Sequence, residues 1–406
     1  MSEQLVVSSG ETPLTTRSLR ILAPLKADTS GRIEVRIEDG AAEAQLSWES
    51  REATLVPNRE AFIAAALLPA MQMQADLQVD APVSQLFLES LERVQDMYRS
   101  WDDSLSRITV RGARPVVRVA GSGARAAVFF SGGLDSFYTL LKHREEITDL
   151  ILIHGFEIPL DDHTTFERAR AVVHGAANRL QKNVIEVRTD VRNYLSTRGL
   201  RWGRWAHGPA LASVAHLIHP AISRIYISAT HTYAALEQWG SHPLLDPLWS
   251  TEGLEFVHDG AEATRIDKAR ALAAQEWPLP LLRVCAEKSD GLNCGRCEKC
   301  IRTMINLLLA GALDRATTFE APLDPGRVAR LRFRSDSTRL FAIENLAVLG
   351  RSGEHADITR ALRTAVNRSE QRRLAREMTR DAWPTGYAML RGIRDAFLKP
   401  RGARWQ

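Results

Sequence analysis

The residues with the most specific chemistry are Ser131, Gly132, Gly133, Leu134, Asp135 and Ser136. They stand between an apolar, β-rich run, Ala126–Phe130, and a helix-forming run that starts at Phe137. A strand that breaks into a two-glycine turn and re-enters as a helix lets backbone N–H groups approach a ligand with no Cβ in the way. The helix start adds unpaired N–H groups and the positive end of the dipole. Together they make an anion site, and phosphate is the usual anion. The hydroxyls of Ser131 and Ser136 add donors, and Asp135 can cap the helix or help hold a magnesium ion. A tight turn with an Asp-Ser cap is the plain alternative. The full string between a strand and a helix is more specific than that. No Gly-Lys-Ser/Thr follows, so this is not a Walker P-loop.

All four cysteines lie in one stretch, CAEKSDGLNCGRCEKC, with spacing Cys285-x8-Cys294-x2-Cys297-x2-Cys300. Four thiolates brought together by tight turns suit tetrahedral zinc. Gly295 permits the turn, and Arg296, Lys299 and Arg302 offset thiolate charge. The apolar run Ile301–Ala310 reads as a helix packed behind, ended by Gly311. Four protein ligands close the site, so such a zinc is structural. Redox-active thiols are one alternative. An iron–sulfur cluster is another, although neither ferredoxin spacing is present.

A third stretch, Thr230–Thr251, is long for a connection inside a compact domain, which usually signals function. It offers Trp239, Ser241, His242 and Asp246, an aromatic with several hydrogen-bonding groups that suits a flat heterocycle. A packed lid that touches no ligand is the alternative. His216 and His219 stand three apart on one predicted helix, but no third ligand is near, so both read as structural.

These residues need a frame, and the chain supplies an alternation for it. Asp149–His154, Asn183–Val187, Arg224–Ala229 and Leu254–His258 read as strands. A helix to about Leu180 capped by Asp161 or Asp162, His207–His219 and Thr264–Ala274 read as helices. Strands separated by helices predict an α/β fold with a doubly wound parallel sheet. Such sheets take ligands at the carboxyl ends of their strands. That directs attention to Ser131–Ser136, His154–Asp162, Thr230–Thr251 and His258–Lys268. Ahead of this region, Ser18–Leu25, Gly31–Ile37 and Glu43–Trp48 alternate as antiparallel strands, Glu60–Met71 reads as helix, and Ile108–Val119 as a further strand. Asp80 and Pro82 look like a helix start, giving one amphipathic helix Pro82–Trp101 with a core-facing stripe. The predicted organisation is an N-terminal α+β recognition or assembly module over 1–120, with a boundary near Gly121–Gly123. A nucleotide-type domain follows over 121–315, and a helical basic region over 316–406.

Composition sets outer limits. The chain has 406 residues, 45% hydrophobic and 25% charged, ordinary for a globular protein. The start, MSEQLVVSSGETPL, has no basic n-region or long apolar run, and residues 1–17 read as polar and frayed. No segment has ~18 uninterrupted apolar residues, so no membrane span is expected and a cytoplasmic location is. Net charge is +4. From residue 316 onward there are 18 Lys/Arg against 10 Asp/Glu, so this region carries +8 and the remainder −4. A solvated helical face fits the interleaved acids, and contact with phosphates or an acidic partner is the alternative.

The six-residue string resembles the SGGxDS loop of the N-type ATP pyrophosphatases, the PP-loop family, with their adenine nucleotide alpha-hydrolase-like fold. With the cysteine spacing added, residues 124–312 resemble the QueC-like 7-cyano-7-deazaguanine synthases. The resemblance implies that Ser131–Ser136 grip the β- and γ-phosphates of ATP, with Asp135 and Ser136 catalytic. It places His154, Gly155 and Phe156 beside adenine and ribose, with Phe156 able to stack on the base. It implies that Lys268, in the first turn of its helix, reaches the phosphates, with Arg265 a second candidate. Cys285, Cys294, Cys297 and Cys300 become zinc ligands. The implied activity is adenylation of a 7-carboxy-7-deazaguanine-like carboxylate with release of pyrophosphate, then acyl transfer to an amine, with ATP, Mg2+ and Zn2+ as cofactors. Where that family carries a tyrosine-proline-aspartate-cysteine-arginine run, this chain has Trp239-Gly240-Ser241-His242-Pro243. Residues 1–120 and the region from 316 have no counterpart in the minimal enzyme. Similarly enlarged relatives in bacterial antiphage defence operons imply a partner protein's amino group as acceptor, where the minimal enzyme uses ammonia. A homo-oligomer is also compatible. The rival readings are a tRNA-modifying PP-loop enzyme that grips RNA with its basic region, and a binding module that only senses ATP.

Overall fold

A computed structural model describes residues 17–382 except 23–26, 29, 41, 118–124, 286, 288 and 334. Residues 1–16 of the segment expected to be frayed, the boundary expected at Gly121–Gly123 and the last residues of the basic region lie outside the described residues.

The N-terminal strands are β1 (Ser18–Leu22), β2 (Arg32–Glu38) and β3 (Glu43–Glu49), paired antiparallel in sequence as their alternation predicts. Helix α1 (Arg59–Met73) follows, capped by the Asn58 side chain, which accepts from the Glu60 N–H. Next come β4 (Asp76–Gln78) and β5 (Pro82–Ser84), then α2 (Gln85–Trp101). The predicted helix from Pro82 therefore starts three residues late. Val83 and Ser84 are extended against a partner strand, and Ser84, not Asp80, caps α2 by accepting from the Phe87 N–H at 3.1 Å. The single strand predicted over Ile108–Val119 is two, β6 (Val110–Arg111) and β7 (Arg114–Val116), in different sheets. Gly112 breaks it with φ +72°, a left-handed turn that no strand continues through.

The second half alternates as expected: β8 (Ala126–Phe129), α3 (Leu134–Lys142), β9 (Ile147–His154), α4 (His163–Leu180), β10 (Asn183–Thr189), α5 (Val191–Thr197), α6 (His207–Ile218), β11 (Arg224–Ser228), β12 (Glu255–Asp259) and α7 (Arg265–Gln275). Its five strands are all parallel, in the order β12-β11-β8-β9-β10. The chain winds outward from β8 to β10, then returns to the other side of β8. That reversal makes a switch point between β8 and β11.

The N-terminal strands do not form a sheet apart. β3 pairs antiparallel with β10, Trp48 opposite Thr189, so one ten-stranded mixed sheet runs β12-β11-β8-β9-β10-β3-β2-β1-β4-β6. Alternate side chains of the parallel strands serve two cores. Ala127, Ile151, Ile185 and Ile225 face the layer that holds α1 and α6. Ala126, Val128, Leu150 and Tyr226 face the layer that holds α3, α4 and α7. Burial on both faces is why these strands read as continuous apolar runs.

After α7 come α8 (Glu298–Leu309), α9 (Pro325–Ala329), α10 (Asp336–Ser352) and α11 (Ala356–Ala382). Ile301, Met304 and Ile305 of α8 share a core with Val328, Ala342, Leu349, Ile358 and Leu362. The region read as a solvated basic face is thus anchored by an apolar seam. Among the described residues, no helix is long and apolar enough to cross a membrane.

Candidate phosphate site and metal centre

The turn after β8 is shaped by its glycines. Gly132 has φ +76°, and a Cβ there would lie 2.6 Å from Val172. Gly133 forms the N-cap of α3, and no side chain caps that helix, whereas α4, α7, α8 and α10 each have a side-chain cap. Ser136 is buried and its hydroxyl donates to Gly133 O at 3.1 Å. The first N–H groups of α3 carry no side-chain cap, as at α5 and α6.

Asp135 ties this loop to the far side of the switch point. Lys268 Nζ donates to Asp135 Oδ1 at 3.0 Å and to Ala229 O, just past β11, at 2.7 Å. Arg265 Nη2 donates to Asp135 Oδ2 at 2.9 Å. Thr264 and Asp267 form a reciprocal capping box that sets the first turn of α7, so Arg265 and Lys268 project one turn apart. Burial alone would raise the Asp135 pKa, but Arg265 and Lys268 outweigh it and hold the carboxyl well below the usual range. Both oxygens of Asp135 are thus engaged by protein cations.

Sequence reasoning missed two further members. Arg302 comes from α8, 11% exposed, with Glu298 at 3.5 Å as its ion-pair partner. Burial first, and then Arg265, pulls its guanidinium down to about 10, so it stays charged at neutral pH. Phe341 comes from α10. Its ring lies 4.1 Å from the Arg265 guanidinium, 4.7 Å from that of Arg302, and stacks on His231 at 5.4 Å. Arg265 Nη1 and His231 Nε2 are buried with no hydrogen-bond partner. Burial, with Arg265 second, lowers His231 to about 4, so its imidazole is neutral. Arg265, Lys268 and Arg302 meet Asp135, Glu298 and Glu344 here, and the two orphaned nitrogens are the polar atoms left for a ligand. No spacing in the sequence links Asp135, Arg265, Arg302 and Phe341. In the sequence Asp135 and Arg265 are separate candidates for the phosphates and Arg302 reads only as a counter-charge to the cysteines, while nothing there points to Phe341.

The other expected nucleotide residues are packed into their own turn. The His154 ring is stacked on Phe166 at 4.1 Å, and its Nε2 donates to Pro159 O at 2.9 Å. Gly155 has φ +108°, and a Cβ there would lie 1.9 Å from Thr189 O. Phe156 is 4% exposed, its ring 4.9 Å from Trp202.

In Thr230–Thr251 the polar groups of Ser241, His242 and Asp246 answer one another. Asp246, fully buried, accepts from the Ser241 hydroxyl at 2.6 Å, from His258 Nδ1 at 2.7 Å and from the His242 N–H at 3.2 Å. Ser241 bonds the carboxylate and not a histidine Nε2, so these residues are no nucleophile relay. His242 Nδ1 accepts from the Leu244 N–H at 3.2 Å, and its ring meets Trp101. Trp239 behaves differently. Its ring lies 5.5 Å from His231 and 5.7 Å from His207, and seats on Gly203, where any Cβ would be 2.6 Å away. Gly203 belongs to a π-helical turn, Trp202–Ala206, a rare device that recurs at functional sites. His216 and His219 hold backbone carbonyls, as structural histidines do.

The four cysteine sulfurs lie within 4.8 Å of one another. Cys285–Cys297 and Cys294–Cys300 are both 3.8 Å apart. A tetrahedron with metal–sulfur bonds of ~2.3 Å has edges of about 3.8 Å, so the set fits zinc. Backbone N–H groups of Glu287, Arg296, Cys297 and Cys300 point at sulfur at 3.3–3.4 Å, which suits thiolates. Without a cation the cluster favours one thiolate. Donation from Cys297 and Cys300 pulls Cys285 down, while Cys285 pushes Cys297 up to about 12 and Cys300 higher still. Gly295 takes the knuckle turn at φ +66° under Ala321 O. Asn293, wholly buried, clamps the arms: its Oδ1 accepts from Val284 and Cys285, and its Nδ2 donates to Leu282 O and Thr318 Oγ1. The three cations expected to offset thiolate charge point elsewhere, to Glu320, Glu157 and Glu298.

The Arg283 N–H donates to Gly132 O at 2.8 Å, so the segment entering the metal cluster also backs the phosphate loop. No family model, curated protein or solved structure matches the chain.

Proposed function

We propose that the chain is an ATP-dependent ligase of the PP-loop type, which adenylates a carboxylate with release of pyrophosphate and passes the acyl group to an amine. The observation that carries this reading is Asp135, held by Arg265 and Lys268 across the switch point beside an uncapped helix start, with Arg265 Nη1 left unpartnered. The site offers its donors at the place where a doubly wound sheet binds ligands.

On this reading the carboxylate oxygen attacks the α-phosphorus, and the bond to the β-phosphate oxygen breaks. The leaving pyrophosphate gathers negative charge. The loop N–H groups, Lys268, Arg265 and Arg302 are fixed before the reaction starts, so they stabilise that charge with little reorganisation. Phe341 keeps two guanidinium groups apart and sheltered from water, where their charge counts for more. An amine then attacks the acyl carbon, and AMP leaves. Both Asp135 oxygens already have partners, so the side chains present build no cage for magnesium. That ion would arrive on the phosphates, as it usually does. The closed cysteine site has no open position and serves structure.

The substrate class suggested by the QueC-like resemblance is a deazaguanine-like carboxylate, with Trp239 as its stacking surface. The test is carboxylate-dependent ATP–pyrophosphate exchange with full-length protein. Wild type should exchange. Ser131→Ala should fall about tenfold, and Asp135→Ala should show none. Exchange that survives Asp135→Ala unchanged would sink the assignment.

A further inference from the structure

A second cationic group stands apart from the Asp135 cluster, at the carboxyl end of β9. Glu157, on the turn that follows β9, is 52% exposed, yet it faces Lys299 Nζ at 3.8 Å and Arg283 Nη1 at 4.0 Å. Arg192 is the next cation around it, and Lys299 first holds its carboxyl below the usual range. The pairing is loose. Both distances exceed hydrogen-bond length, so the carboxylate is suspended between two cations without being clamped by either.

Arg283 is the less ordinary partner. Its side chain is 5% exposed, and its Nη1 also approaches Ser131 O at 3.5 Å, on the phosphate loop itself. The same nitrogen thus stands between Glu157 and the loop at 4.0 and 3.5 Å. Flat surfaces adjoin. Phe156, one residue from Glu157, packs on Trp202, the Arg192 guanidinium lies 4.7 Å over the Trp202 ring, and His207 leads on to Trp239. Cations beside aromatic rings at the edge of the loop make a receptor for a planar molecule with an anionic substituent.

We infer that Arg283 and Lys299 form the subsite for the substrate's carboxylate, and that Glu157 is a built-in competitor for it. This rests on the proposed function, since a carboxylate held there lies next to the loop that would hold the α-phosphorus. Exchanging one carboxylate for another leaves the local charge balance intact. Glu157 is half exposed and on a turn, so it can leave without breaking the core. The inference also gives the metal centre a positional role, because Lys299 lies between two of its ligands and Arg283 two residues before a third.

The test uses zinc-loaded, full-length protein without ATP. Binding of 7-carboxy-7-deazaguanine and of its uncharged nitrile analogue is measured by titration calorimetry. Lys299→Met should weaken the carboxylate about tenfold and leave the nitrile within twofold, and Lys299→Arg should restore most of it. Glu157→Gln should tighten the carboxylate several-fold, an increase that a purely structural glutamate would not give. Equal effects on both compounds, or none, would overturn the subsite and leave the proposed function standing. Failure of wild type to bind either compound would overturn the substrate assignment and the subsite together. An arginine contribution is read from Arg283→Lys, provided its zinc content matches wild type.

Discussion

Two polar stretches at the strand ends face opposite fates. At one, Ser241, the His242 backbone and His258 of β12 all converge on Asp246, and a buried carboxylate is satisfied by its own neighbourhood. Around the Ser131–Ser136 loop, the balance fails. Arg265 Nη1 and His231 Nε2 have no partner among the described residues, and the Phe341 ring lies against both side chains. Buried polar groups that answer one another build structure. Those left in surplus beside an anion-shaped turn wait for a ligand. Composition cannot tell these cases apart, because both stretches are rich in the same residue types.

The comparison can be broken by mutation. The largest effect belongs to the metal centre, which is neither surplus nor optional. Cys297→Ser should lose the bound metal and most of a contribution of ~10 kcal/mol, unfolding residues around 285–321. Metal analysis should give one zinc per wild-type chain and none in the variant. A soluble variant that keeps its metal would contradict the assignment.

Asp135→Asn comes next. It leaves Arg265 and Lys268 without their shared counter-charge and should cost about 2–4 kcal/mol. Because the missing charge can be supplied from outside, inorganic pyrophosphate should raise the melting temperature of this variant more than that of wild type. Asp246→Ala should cost about 2–3 kcal/mol by orphaning three buried donors, but no added anion should rescue it. If pyrophosphate rescues Asp246→Ala as well as Asp135→Asn, the contrast between the two stretches fails.

A smaller effect is set by pH. The His231 pKa is lowered to about 4 in the folded chain, from a reference near 6.5. The unfolded chain therefore binds the proton first, and stability falls as pH drops from about 6.5 to about 4. Above that window the penalty is absent. The loss traceable to His231 should reach about 2–3 kcal/mol. Chemical denaturation of wild type and His231→Gln across that range should show the variant's stability changing less. Parallel curves would refute a buried, neutral His231.

How much of this could be read from the chain follows one physical divide. The loop and the cysteines are contiguous strings whose geometry is local, so SGGLDS and Cys-x2-Cys-x2-Cys announced themselves. The parallel strands declared themselves through apolar runs, and residue type narrowed the cap of α4 to Asp161 or Asp162, of which Asp162 accepts from the Thr165 N–H. What stayed hidden was assembled by tertiary packing. Arg302 and Phe341 come to Arg265, itself a sequence candidate, from two other helices, and Phe341 lies in a region that reads as a solvated basic face. The start of α2 was misread because an Asp-Pro pair signals a helix N-terminus as well as it signals an extended turn, and pairing of Val83 with β7 decided it. The junction of β3 with β10 was equally invisible, since an antiparallel edge strand carries no mark of which neighbour it will meet.

The most direct measurement follows phosphorus. Full-length protein, ATP, magnesium and 7-carboxy-7-deazaguanine are incubated with an amine, and the products are resolved by phosphorus NMR. The account predicts AMP and pyrophosphate in equal amounts, with neither formed by Asp135→Ala. Appearance of ADP and orthophosphate in their place would show cleavage at the γ-phosphate and would contradict the central claim.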